Sequence, residues 1–118
     1  MLENNLYKKS YAFAVEMVRL YQQISGEKRE YVLSKQLLRS GTSIGANVAE
    51  ANGAISTADF SSKISLAYKE TLETKYWLNL LRDTEYIEPI LVDRLLKDAD
   101  ELSRIMFSIL KKTRITPK

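Results

Sequence analysis

Apolar residues recur along the chain in steps of three and four, and four segments carry the pattern. In the first, over about residues 4–25, Phe13, Ala14, Met17, Val18, Tyr21 and Ile24 fall on one face of a helix. Ser25-Gly26 then predicts a C-terminal stop, because glycine takes the left-handed cap conformation without a Cβ clash. In the second, over about 27–52, Leu33, Leu37, Ser40, Ile44, Asn47 and Ala51 form a stripe that stops at Gly53 and is half small or polar. The third, over about 57–82, opens on Ser56-x-x-Asp59, a capping box with Asp in place of Glu or Gln. Phe60, Ile64, Ala67, Thr71, Thr74, Leu78 and Leu81 then repeat at heptad spacing, the mark of a long helix in coiled-coil-like packing. Tyr68, Tyr76, Trp77 and Leu80 lie off this seam and suggest a second buried face. The fourth, over about 89–112, begins with Pro89 and lines its core with Leu91, Leu95, Ala99, Leu102, Met106 and Ile109. No segment alternates with period two, so no strand is expected. Four helices joined by short turns predict one all-α domain over 1–118, an antiparallel up-down-up-down four-helix bundle.

Composition narrows the chemistry. The chain has 118 residues, no Cys and no His. Disulfides, thiolate nucleophiles, zinc-thiolate sites and iron–sulfur clusters are therefore ruled out. So are an imidazole base, a Ser-His-Asp triad and the Glu-x-x-His ligands of dinuclear bundles. Glu70-x-x-Glu73 is consequently not read as a metal site, and no cofactor is implied. Ser and Thr hydroxyls are present without a positioned base, and Gly41-x-x-x-Gly45 lacks the Gly-Lys-Ser/Thr that completes a phosphate loop. An enzyme is not expected.

Charge adds a location. Lys111, Lys112, Arg114 and Lys118 form a basic tail over 111–118 with no acid among them. They exceed the net charge of +3 and leave the rest of the chain at −1. The tail is either a solvated helix end favoured by the helix dipole or a phosphate contact. Lys8, Lys9, Lys28, Arg29 and Lys35 are further candidate contacts, with several tyrosines nearby that offer stacking faces. Met1-Leu2-Glu3-Asn4-Asn5 does not resemble a signal peptide, and no run is long and apolar enough to span a membrane. A cytoplasmic protein is the expectation.

The run from Arg39 to Glu50 is unusual for a helix interior, since Gly41 and Gly45 each cost about 1 kcal/mol relative to Ala. Four residues apart, they share one face, where missing side chains admit another backbone. Close packing within the chain and a groove or subunit contact both satisfy the pattern. Folding helices two and three about the turn at Gly53–Ser56 places Arg39 opposite Glu70, Gln36 opposite Glu73 and Ser43 opposite Leu66. Arg39 and Glu70 then form a bundle-side ion pair, with Asn47 and Gln36 nearby as hydrogen-bonding groups.

These residues resemble a known family, the bacterial 23S ribosomal-RNA intervening-sequence proteins. Lys9-Ser10-Tyr11-Ala12-Phe13-Ala14 is similar to the family's first-helix opening. The segment from Ser34 to Val48, with Gln36, Arg39, Ser40, Ser43, Ile44 and Asn47, is similar to its second-helix signature. Ala67-Tyr68-Lys69-Glu70 and Glu73-Thr74-Lys75-Tyr76-Trp77-Leu78 continue the likeness. Val48-Ala49-Glu50-Ala51 departs from the wider family's Ile-Ala-Glu-Gly, and Tyr68-Lys69-Glu70 replaces its small Gly-Ser pair. The resemblance implies a four-helix bundle assembled as a ring-like homopentamer, encoded in some cases within an insertion in a large-subunit ribosomal RNA gene. It also implies kinship with an accessory bundle that binds nucleic acid and a reverse transcriptase. Two functions follow as expectations: a non-enzymatic oligomer that binds structured RNA, or a protein-interaction scaffold for a client such as a polymerase. Gln36, Arg39, Ser40, Gly41, Ser43, Gly45, Asn47, Glu70, Glu73 and Trp77 are the expected structural and assembly residues.

Overall fold

The first donors of a helix have no partner inside it, and this chain meets that need with side chains at two of its helix starts. Ser56 Oγ accepts from the Asp59 N–H at 3.0 Å, and Asp59 Oδ2 accepts from the Ile55 N–H at 3.3 Å. The Glu30 carboxylate accepts from the backbone N–H groups of Val32, Leu33 and Ser34 at 2.7–3.0 Å. The computed structural model describes residues 3–115, with side chains described for 5–113. Within that range α1 spans Glu3–Gln23, α2 Leu33–Asn52, α3 Thr57–Asp83 and α4 Pro89–Ile115. Each packs on the next in sequence order, and α1 meets α4 more sparsely, which closes an up-down-up-down bundle 51 Å long and 21 Å across.

The first turn differs from the sequence expectation. α1 does not stop at Gly26, which has no positive φ, but continues as a π-helical turn over Ile24–Lys28. The left-handed residue is Arg29, at φ 57°. Nothing at Gly26 needs the chain to reverse. The reversal comes where Glu30 can reach the donors of α2, so that helix starts at Leu33 and not at 27. The α3–α4 turn reverses through Glu85, at φ 69°. The Glu85 N–H donates to the Arg82 carbonyl and the Tyr86 N–H to that of Leu81, which satisfies two carbonyls at the end of α3.

Leu6, Met17, Ile24, Leu37, Ile44, Ile64, Leu78, Leu81, Leu95, Leu102 and Met106 are fully or almost fully buried. Each large side chain of this kind contributes about 1.5–3 kcal/mol through burial. Val18 falls outside the core, exposed on the outer side of α1, while Leu6, Ser10 and Leu20 complete its inner face. The half-polar stripe of α2 has a simple resolution. Ser34 and Ser40, like Thr71 and Thr74 on α3, are fully buried. Their hydroxyls find carbonyls one turn back: Ser34 on Glu30 at 2.6 Å, Thr71 on Ala67 at 2.8 Å and Thr74 on Glu70 at 2.7 Å. Small, internally satisfied side chains let α2 and α3 approach closely without stranding a polar atom.

Candidate nucleic-acid interface

The glycines of α2 are occupied from within. A Cβ added at Gly41 would lie 2.3 Å from Met17 Cγ, and one added at Gly45 would lie 3.3 Å from the Ser10 carbonyl oxygen. Both positions are buried against α1 of the same chain. They form neither an open groove nor a surface for another subunit.

On the outer side of α2, the guanidinium of Arg39 reaches Glu70 at 3.2 Å and also contacts Glu73. Trp77 Nε1 donates to the same Glu73 carboxylate at 2.9 Å. The Arg39 bond, joined by that of Trp77, holds the Glu73 carboxyl below its ordinary range. The pair of Arg39 and Glu70 therefore forms as the hairpin geometry implies, and the guanidinium reaches one carboxylate further. Arg39 takes both carboxylates, so Glu73 is not left for Gln36, whose side chain is exposed. Asn47 turns to its own helix and donates to the Ser43 carbonyl at 2.9 Å, while Ser43 Oγ donates to the Arg39 carbonyl. Deeper in, Ser40 Oγ and Thr74 Oγ1 lie 2.9 Å apart and join the two helices at the core edge. This cluster ties α2 to α3 and offers no reactive group.

The candidate cations do not come together. Up-down topology puts Lys28, Arg29 and Lys35 at one end of the bundle, where α1 ends and α2 begins. Lys8, Lys9, Lys111 and Lys112 stand towards the other, where α1 begins and α4 ends. At the first end Lys28 shares a concavity of about 420 Å³ with Glu27, Glu85 and Glu88. Arg82 also lines it but is paired with Asp83 and Asp93, so the three carboxylates make it a poor seat for phosphate. At the second, the nearby acids among the described residues are engaged: Glu101 with Lys9 at 3.1 Å, Glu50 with Lys63 at 2.9 Å, and Asp59 with the Ile55 N–H. Lys8 and Lys111 are exposed, with no ion-pair partner among the described residues. The side chains of Arg114 and Lys118 lie outside the described residues.

Two groups escaped the periodicity. Leu66 and Leu72 are exposed on α3, and of the residues expected to form a second buried face there Tyr76 is exposed while Tyr68, Trp77 and Leu80 are half-buried. Phe107, next to the buried Met106, is exposed on α4 beside Tyr68. Its spacing from Arg104 and Lys111 was the available signal. Among the described residues no group of three Asp or Glu side chains converges to hold a metal ion, and no helix is long and apolar enough to cross a membrane.

With this geometry in hand, the sequence matches the family described as 23S rRNA-intervening sequence protein over residues 3–108. The chain belongs to that family. Among solved structures it is similar to a protein of unknown function from the S23 ribosomal protein family of Bacteroides thetaiotaomicron VPI-5482. The two share 48% identity at a TM-score of 0.91, covering 94% of this chain and 99% of that one. No curated protein matches. The matched stretch contains Lys8, Lys9, Lys28, Arg29, Lys35 and the cluster around Arg39. Lys111 and Lys112 lie beyond it.

Proposed function

We propose that this chain is a non-enzymatic, oligomeric binding protein that contacts structured RNA through the end of the bundle where α1 begins and α4 ends. The observation that carries this reading is the segregation of charge. Lys8 and Lys111 are exposed there while the neighbouring carboxylates among the described residues are occupied, whereas at the opposite end Lys28 shares its concavity with Glu27, Glu85 and Glu88. Phosphate contacts of this kind give affinity that falls steeply with salt. Self-assembly is part of the reading, with a homopentamer expected by family resemblance and a cytoplasmic site of action where ribosomal RNA is met. Leu72 and Tyr76, one turn apart and exposed on the same side of α3, support a contact between copies. Assembly would repeat a modest basic patch around a ring and raise avidity without new contacts. The same exposed apolar pair favours a second reading, in which the bundle is a scaffold for a protein client.

The test is a titration of the purified protein against a structured ribosomal RNA and a scrambled control at about 50 and 200 mM salt. Binding that prefers the structured RNA, weakens with salt, and falls in Lys8→Glu/Lys111→Glu but not in Lys28→Glu/Arg29→Glu is the expected result. Absence of binding at both salts overturns the RNA reading. A client retained after nuclease treatment then identifies the scaffold.

A further inference from the structure

We propose that a cleft between α3 and α4 holds an unstacked base of a single-stranded RNA segment, with Arg104 and Lys111 taking the flanking phosphates. This site rests on the RNA-binding reading above and specifies which part of an RNA the chain grips. Phe107 leaves 52% of its surface exposed, and its ring lies 6.0 Å from that of Tyr68, tilted by 38°. The two rings border a shallow, open cleft of about 490 Å³ that Ser103, Arg104 and Lys111 also line. An exposed ring in a concave site is a stacking platform for a base of any identity.

The charge around the rings selects a polyanion. Contacts between Ser61 and Thr113, at 3.1 Å, and between Tyr68 and Phe107 set residues 61–69 of α3 against residues 104–113 of α4. Neither stretch contains an Asp or Glu. Arg104 and Lys111 bracket Phe107 on one face of α4, roughly 10 Å apart along the axis at 1.5 Å rise per residue. Asp100 contacts Arg104 one turn back but divides its charge with Lys75, and Lys111 has no ion-pair partner among the described residues. The cleft is also continuous with the basic end, because Lys111 belongs to both. An apolar peptide would leave these cations unused. A perfect duplex would present no free base face, whereas loops and bulges do.

The experiment measures binding of the full chain to a fluorescent single-stranded RNA of about ten nucleotides and to a fully paired RNA of equal length. Wild type, Phe107→Ala, Phe107→Trp and Lys111→Ala are compared, with helicity and light-scattering mass recorded for each. Phe107→Ala is expected to weaken single-strand binding about tenfold or more while changing duplex binding little. Phe107→Trp restores the affinity, and Lys111→Ala flattens the salt slope by about 0.7 without abolishing binding. If wild type binds the single strand and Phe107→Ala binds it equally well, the cleft is wrong and the RNA reading survives. If wild type binds neither short RNA, the cleft is wrong, and the titration against structured ribosomal RNA decides the RNA reading separately. If Phe107→Ala instead lowers the assembled mass, Phe107 belongs to a contact between copies and the proposal is overturned.

Discussion

Replacing Gly41 by Ala tests how α1 and α2 are packed. At an open helix position the change stabilises by about 1 kcal/mol, since Ala loses less backbone freedom. At Gly41 the new methyl meets Met17 Cγ at 2.3 Å, Sδ at 2.8 Å and Cβ at 3.1 Å. The thioether can rotate away, but the Cβ is fixed by the α1 backbone. Met17 is fully buried, so a rotated thioether displaces its neighbours. Overpacking of this kind costs about 1–3 kcal/mol. Set against the helix gain, a net loss of about 0–2 kcal/mol is expected, towards the upper end because a backbone-fixed atom is among the contacts. Gly26→Ala is the control: nothing lies within 4 Å of its added Cβ and its φ is not positive, so a gain of about 0.4–1 kcal/mol is expected. Urea unfolding followed by circular dichroism, at one protomer concentration because assembly adds to apparent stability, reads both. Pairing Gly41→Ala with Met17→Ala should show a coupling of about 1 kcal/mol or more, since truncating Met17 frees the space. A Gly41→Ala protein as stable as Gly26→Ala, with no coupling to Met17, would refute the packing reasoning.

A double-mutant cycle of Arg39→Ala and Glu73→Ala should give a coupling of about 0.5–1 kcal/mol, because the Arg39 side chain is 48% exposed and solvent screens the pair; zero coupling removes the cluster from the stability argument. Burial raises the Glu30 carboxyl, but its backbone donors outweigh that and hold it below its ordinary value. Its contribution is therefore fully present above the ordinary carboxylate pKa of about 4.3 and is lost as pH falls through the lowered folded value. Glu30→Gln should cost about 1 kcal/mol at neutral pH and flatten the acid limb of the stability curve; parallel limbs would count against the cap. Light scattering should give a multiple of 13.6 kDa, and Leu72→Glu/Tyr76→Glu should reduce it, whereas a single-chain mass in the wild type would remove the assembly reading.

Periodicity by itself determined the four helices and the α3 seam from Ile64 to Leu81, because a step of 3.6 residues is a local property that needs no partner to be read. Pro89 and the Ser56-x-x-Asp59 box were legible for the same reason: each acts within one turn of its own helix. The end of α1 was not. Gly26 carried the compositional signal, yet the reversal occurs at Arg29, where Glu30 meets the donors of α2. The cluster around Arg39 was half legible. Antiparallel register gives Arg39 opposite Glu70, but side-chain reach decides that the guanidinium also takes Glu73, leaving Gln36 outside.

The candidate cations could be found in the sequence as residue types, but not as a surface. Lys8 and Lys28 stand twenty residues apart in the chain and near opposite ends of a 51 Å bundle, while Lys8 and Lys111 share an end. Phe107 shows the same limit on a smaller scale, since only α3 laid against α4 brings it to Tyr68 and forms the cleft. Sequence alone determined what each helix is. Tertiary structure decided which charges and rings meet, because electrostatics and stacking act through distances that the chain sets only when its helices pack.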